Sequence, residues 1–332
     1  MKIISNVEEL RSVLLSVFNK YDSIGLLTHK NPDGDGLSTC LVLQEILKDM
    51  DKQVKIILEE EALDSLDFLK AKEKTIIYNE QLAYPLVIIV DCHSRRRLGI
   101  CAPLLDKAEM IIAIDHHEDN GANDVDYLYN NPYIVSAGAI IYQALKEEII
   151  ALSNNIREES AQAIYVTILN DTNNFTNSNT NAKVFELAAE LTRLGIKPYE
   201  ITRIFMLSKP ANYYRFIGQA LSTIETHIAG KVLFFHSTLK MLDDNGLHSD
   251  ATSKVTNWVK KPIGVEVVVY FREIGENKYR LSLRSETIDV NLIAHKYNGG
   301  GHMNAAGCEI TNNLEDIKAT ILHDIENQLV FD

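Results

Sequence analysis

The chain has 332 residues, too many for one ordinary hydrophobic core, so two domains are expected. Its composition, 46% apolar and 24% charged, excludes a disordered or fibrous chain. A formal charge of −13 excludes the basic stripe by which proteins grip long nucleic acid, so any phosphate ligand should be small and held in a local pocket.

No apolar run approaches the about 18 residues that a membrane helix needs, so no membrane partner is expected. The N-terminal MKIISNVEELRSVLL is amphipathic and acidic and reads as no export signal. Cys40, Cys92, Cys101 and Cys308 lack CxxC spacing, which argues against a zinc knot or a disulfide framework and for a reducing, cytoplasmic setting. In chain order, the short apolar runs 24–28, 54–58, 86–90 and 111–114 read as strands, and 37–50 as a helix. Near-continuous apolar strands separated by helices predict an α/β domain, a parallel sheet with helices on both faces. Helical patterning then dominates residues 136–194, including 158–169 and 182–194. Strands at 231–235, 265–271 and 279–283 and helices at 289–297 and 313–330 predict a smaller α/β C-terminal domain. Gly195, Pro198 and Pro210 punctuate the chain between them, so the expected division is 1–195, a linker at 196–212, and 213–332.

The polar clusters fall where these elements end. Strand 24–28 runs into HKNPDGD, which carries His29, Asp33 and Asp35; strand 86–90 ends in Asp91; strand 111–114 ends in Asp115, His116 and His117. The helix at 161–169 ends in Asn170, Asp171 and Thr172. Ligand crevices of open parallel sheets lie outside the carboxyl ends of the strands, so these segments should share one rim. Singly, each has a plain reading: an Asp after a strand is most often a turn or helix cap, and a His pair is more often filler than ligand. Together they cost free energy unless cations offset the carboxylates. Asp and His without thiolates suit manganese, with magnesium, cobalt or iron as alternatives. The donors are too many for one catalytic zinc and enough for two ions about 3.5–4 Å apart, sharing a carboxylate and a bridging water. That chemistry is phosphoester hydrolysis.

At these residues the sequence resembles the DHH phosphoesterase superfamily. HKNPDGD at 29–35 looks like its first motif, Val90-Asp91 its second, Asp115-His116-His117 its third and Asp171-Thr172 its fourth. Gly299-Gly300-Gly301-His302 is similar to the glycine-rich signature of the DHH-associated substrate-binding domain, and the two-domain length looks most like the bacterial nanoRNase/pAp-phosphatase branch. The resemblance implies that His29 and Asp33 hold one metal, that Asp35, His116 and Asp171 hold a second, and that Asp91 bridges them. It implies a catalytic role for His117 at the scissile phosphate, with Asp91, and with Asp115 fixing an imidazole. Arg284 stands where the family keeps a substrate arginine, whose planar fork suits phosphate; a surface strand arginine is the plain alternative. Consecutive glycines at 299–301 admit a phosphate close to backbone N–H groups, as in anion nests, with His302 beside them, though a flexible loop or helix cap would look the same. Residues 260–303 hold seven Lys/Arg against five Asp/Glu, a local reversal of the overall charge.

The expected function is hydrolysis of short oligoribonucleotides or of 3′-phosphoadenosine 5′-phosphate (pAp). A cyclic-dinucleotide or pApA phosphodiesterase and a non-catalytic nucleotide sensor are the alternatives. A homodimer is compatible with the sequence but not required by it. One departure stands out: after Asp35 the family usually reads Ala-Leu-Gly-Ser, whereas here Gly36-Leu37-Ser38-Thr39 follows.

Overall fold

Every residue of the strand Leu86–Val90 is buried, which requires cover on both faces of its sheet. The computed structural model, which describes residues 1–117, 124–252, 255–259 and 262–329, supplies that cover. The chain divides into two units, Met1–Ser208 and Lys209–Asp332. The first runs β1 (Lys2–Ile3), α1 (Val7–Lys20), β2 (Ser23–Leu27), α2 (Gly34–Asp49), β3 (Gln53–Leu58), α3 (Ala71–Lys74), β4 (Thr75–Ile77) and β5 (Leu86–Val90). It continues through β6 (Met110–Asp115), β7 (Tyr127–Asn130), α4 (Ala137–Ala151), α5 (Asn154–Thr172), α6 (Ala182–Arg193) and α7 (Pro198–Thr202).

The seven strands form one parallel sheet in the order β1-β7-β6-β5-β2-β3-β4. Side chains alternate across a strand, and β5 shows it. Leu86, Ile88 and Val90 pack with Leu10, Leu37, Ile140 and Ile164 of α1, α2, α4 and α5, while Val87 and Ile89 face the opposite core. There the cover comes from Leu98, Leu104 and Leu105 of a 3-10 stretch, Arg95–Lys107. From β2 the chain proceeds to β3 and β4 on one side, then returns to lay β5, β6 and β7 on the other. The strand order therefore reverses between β2 and β5, and their carboxyl ends flank the crevice that such a reversal opens. Ile196, Ile201 and Phe205 are buried in the first core, so residues expected as linker pack there and the first unit ends at Ser208.

The second unit contains α8 (Ala211–Leu221), β8 (Glu225–His227), β9 (Val232–Ser237), α9 (Leu239–Asp244), β10 (Val267–Gly275) and β11 (Lys278–Ser285). It ends with α10 (Val290–Lys296), β12 (Gly300–His302), β13 (Ala305–Thr311) and α11 (Leu314–Leu329). Its sheet, β12-β13-β11-β10-β9-β8, is antiparallel except where β9 and β10 run parallel. Phe234, Val269 and Leu281 meet Ile293, Ile317 and Ile321 on one face, and Leu233, Phe235 and Tyr270 meet Phe216 and Ile217 on the other. The four cysteines are free and buried, and among the described residues no helix is long and apolar enough to cross a membrane.

Gly300, Gly301 and His302, expected with Gly299 as an anion-cradling loop, instead form the edge strand β12 on β13. The reason is steric. A Cβ on Gly299 would lie 2.2 Å from the Gly307 carbonyl oxygen, and one on Gly301 2.4 Å from that of Ala305. Gly299→Ala is therefore expected to destabilise the second unit by about 1–3 kcal/mol through overpacking. Calorimetry should show its transition fall while that of the first unit stays unchanged.

Candidate metal centre

The apolar run of β2 stops at Leu27, and His29 follows outside the sheet edge. Its Nδ1 lies 2.8 Å from the carbonyl oxygen of Lys30. A carbonyl only accepts, so Nδ1 carries the hydrogen and Nε2 presents its lone pair when the ring is neutral. Nε2 is 3.3 Å from Asp91 Oδ2 and 3.9 Å from Asp33 Oδ1. The first of these contacts spans the gap between the ends of β2 and β5. Asp91 is 1% exposed and has φ 59°, a left-handed conformation unusual for a non-glycine residue. Its backbone N–H donates to the Ile114 carbonyl at 2.9 Å, which fixes the turn out of β5.

Asp33 caps α2, accepting from the backbone of Asp35 at 2.9 Å and Gly36 at 3.3 Å. Asp35, in the first turn of α2, is fully buried beneath the start of α4. Its Oδ2 accepts from Ala137 N–H at 2.7 Å, and its Oδ1 from Gly138 N–H at 3.1 Å and Thr39 Oγ1 at 3.2 Å. A helix N-terminus favours a carboxylate there. Asp171 arrives from the end of α5. His116 Nε2 stands among three carboxylates, 3.4 Å from Asp35 Oδ2, 3.4 Å from Asp91 Oδ1 and 3.2 Å from Asp171 Oδ2. Asn170 Nδ2 donates to Asp33 Oδ2 and to Asp171 Oδ1, each at 2.9 Å.

Asp115 is fully buried behind this group. Its Oδ1 accepts from the backbone N–H of His116 at 2.7 Å and of His117 at 3.1 Å, and from His117 Nδ1 at 2.8 Å. Its Oδ2 accepts from His93 Nδ1 at 2.5 Å. An ionised carboxylate only accepts, so both imidazoles carry hydrogen on Nδ1. The sequence reading gave no part to His93 or Asn170. Their signals were faint: a His two residues past Asp91 and an amide just before Asp171.

Protonation follows the crowding. Burial and the charge of Asp91 push Asp35 up to about 7, and burial with Asp35, Asp33 and Asp91 holds Asp171 well above the usual carboxylate range. Burial opposes charge on the imidazoles, but Asp33 and Asp91 prevail at His29, raising it to about 10. At His116, Asp91 and Asp35 prevail and raise it to about 9. Burial also opposes charge on Asp115, yet its bonds to His117 and His93 hold it far below the usual range. Asp91 Oδ1, Asp171 Oδ2 and His116 Nε2 are buried without hydrogen-bond partners among the described residues. Buried polar atoms of this kind are costly unless something else satisfies them. A divalent cation fits: donor atoms of His29, Asp33 and Asp91, and those of Asp35, His116 and Asp171, lie within 4.8 Å of one another in each group. A third grouping of the same kind, Asp91, His116 and His117, overlaps these.

Arg284, Gly299, Gly300, Gly301 and His302 lie in the second unit. Arg284 and His302 both pair with Ala305, one on each side of β13, and so share a face of the sheet. The Arg284 guanidinium donates to the Leu283 carbonyl at 2.8 Å, and burial lowers its pKa.

The family model described as "DHH family, N-terminal domain" matches residues 23–168, and that of the "DHHA1 domain" matches residues 230–329. A relative from Thermus thermophilus, named a bifunctional oligoribonuclease and PAP phosphatase NrnA, is 29% identical over 311 residues, covering 92% of this chain and 90% of its own. A Bacillus subtilis protein of the same name is 27% identical over 322 residues, covering 96% and 98%. Among solved structures, an exopolyphosphatase-related protein from Bacteroides fragilis superposes with a TM-score of 0.87 at 22% identity, covering 96% of this chain and 95% of that one.

The unusual Gly36 now has a steric reason. A Cβ there would lie 2.0 Å from Thr28 Oγ1 and 3.2 Å from Asp91 Oδ2, so the threonine fills space that an alanine at position 36 would need. Gly36→Ala should displace Thr28 or Asp91 and destabilise the first unit by about 1–3 kcal/mol. Adding Thr28→Ala should recover most of that loss in a thermal melt. An unchanged midpoint for the single variant would contradict the packing argument.

Proposed function

The chain belongs to the DHH family of phosphoester hydrolases, and from that premise we propose a divalent-metal-dependent enzyme that cleaves very short oligoribonucleotides and dephosphorylates pAp. The observation that supports this most is the convergence of His29, Asp33, Asp35, Asp91, His116 and Asp171, with buried polar atoms left unsatisfied among them. His29, Asp33 and Asp91 would hold one cation, and Asp35, His116 and Asp171 the other. Asp91 would serve both, because Oδ2 faces His29 and Oδ1 faces His116. Such a pair supplies a polarised phosphoryl oxygen and a water made nucleophilic near neutral pH, and a thiolate-free donor set favours manganese.

The remaining residues position and protonate. Asp115 holds the Nδ1–H of His117, which leaves Nε2 to carry the proton delivered to the departing oxygen. In the second unit Arg284, with no carboxylate paired to it among the described residues, is the proposed phosphate contact, and Gly299 with Gly300, Gly301 and His302 of the edge strand β12 are the other proposed substrate contacts.

Asp91→Asn should abolish manganese-dependent release of mononucleotide from a diribonucleotide. Near-normal turnover by that variant would exclude the shared-ligand role. Assaying the wild type on di- to pentaribonucleotides, pAp, cyclic di-AMP and pyrophosphate ranks the substrates. Arg284→Ala should raise KM by the equivalent of about 1.5–3 kcal/mol, the loss of a charged hydrogen bond, with metal content intact. Loss of metal in that variant would mean that the arginine is misassigned.

Metal uptake should also release protons. His29 and His116, raised to about 10 and 9, are protonated at neutral pH in the metal-free protein, and Asp35, raised to about 7, is partly so. A cation must displace these protons, so affinity should rise with pH up to about 10 and fall in acid. Calorimetric titration in buffers of different ionisation enthalpy counts the protons; affinity independent of pH would refute the assignment.

A further inference from the structure

His93 is buried two residues beyond Asp91, yet it belongs to none of the cation-sized groupings among the described residues. Its Nδ1 goes instead to Asp115 Oδ2 at 2.5 Å. Among the described residues, the other oxygen of Asp115 takes its three donors from His116 and His117: two backbone amides and His117 Nδ1. Asp115 is therefore a rigid connector with His93 at one end and the His116–His117 dipeptide at the other. We propose that His93 is a positioning residue for His117, acting through Asp115 to set which way the His117 ring faces and which of its nitrogens carries hydrogen.

The physical case lies in what else could hold that geometry. A carboxylate pinned at one oxygen can still turn about its Cβ–Cγ bond, and turning moves Oδ1 away from His117 Nδ1. The donor on Oδ2 blocks that rotation. A hydrogen on Nδ1 dictates that Nε2 is the nitrogen presented outward, and His117 is itself 43% exposed. Loss of the outer partner of a catalytic or ligating group typically costs about 10–100-fold in activity or metal affinity. Here the loss should fall on turnover, because Asp115 Oδ1 braces His117 directly, whereas His116 Nε2 is surrounded by other carboxylates.

This inference rests on the phosphoesterase reading, and two variants test it. With manganese and a diribonucleotide, His93→Leu should lower kcat about 10–100-fold with KM and bound metal unchanged. His93→Asn, whose amide can replace the Nδ1–H donor, should recover most of that loss. In a His117→Ala background, His93→Leu should cost little more, since a residue acting through His117 has nothing left to position. Independently of activity, nitrogen-15 spectra of the metal-free protein should show the His117 hydrogen on Nδ1, and a mixture of tautomers in His93→Leu. Three results would overturn the proposal: normal kcat in a folded His93→Leu, an equal additional loss in the His117→Ala background, or loss of metal in step with activity. A wild type inactive on every substrate would instead overturn the phosphoesterase reading, and the tautomer spectra would still decide the role of His93.

Discussion

Asp35, Asp91 and Asp115 are each at most 1% exposed, and a carboxylate removed from water needs donors or cations in place of solvent. The three meet that need differently. Asp115 has it met in full by two imidazoles and two backbone amides, and its charge is secure. Asp35 has amides and a hydroxyl on its outer side only, and its inner side faces His116. Asp91 has one oxygen near His29 and the other without any hydrogen-bond partner. Satisfaction thus declines from the periphery of the cluster toward its middle, as expected of a shell built to receive positive charge there.

The sheet makes that shell rigid. His29 and Asp91 hang from neighbouring strands locked in register, with Leu27 opposite Ile89, so their approach is set by a hydrophobic frame and not by a loop. Left-handed backbone accompanies two of the carboxylates where they emerge. Asp91 is left-handed, and Asn173, Asn174 and Phe175, directly after α5 and Asp171, have φ of 46°, 58° and 62°. Unfavourable conformations persist only where their surroundings over-determine them, and they gather at functional sites. Asn accepts the left-handed region readily; Phe does not, and its ring is held by stacking on Phe185 at 5.4 Å.

Much of this was legible in the chain. The central strands announced themselves as four- or five-residue apolar runs because burial on both faces removes alternation. The converging aspartates and histidines were legible because each stands where such a run, or α5, stops. The edge strands β1 and β4, and β7 beside β1, were not, since two to four residues carry too little pattern to distinguish from loop. The strand at 300–302 was not legible because the same lack of a Cβ that suits an anion also suits a strand pressed on its neighbour. His93 and Asn170 stayed hidden for a different reason. Their partners lie 22 and 137 residues away, and only the fold brings them within a hydrogen bond.

Asn170 has a mechanical consequence. One amide nitrogen has two hydrogens, and here one goes to Asp33 and the other to Asp171. Those aspartates sit in different halves of the cluster, so a single planar group acts as a tie rod between them. A shift of either carboxylate tilts the amide and is felt by its counterpart. The halves share a degree of freedom, and displacing one alters the shape that the other presents.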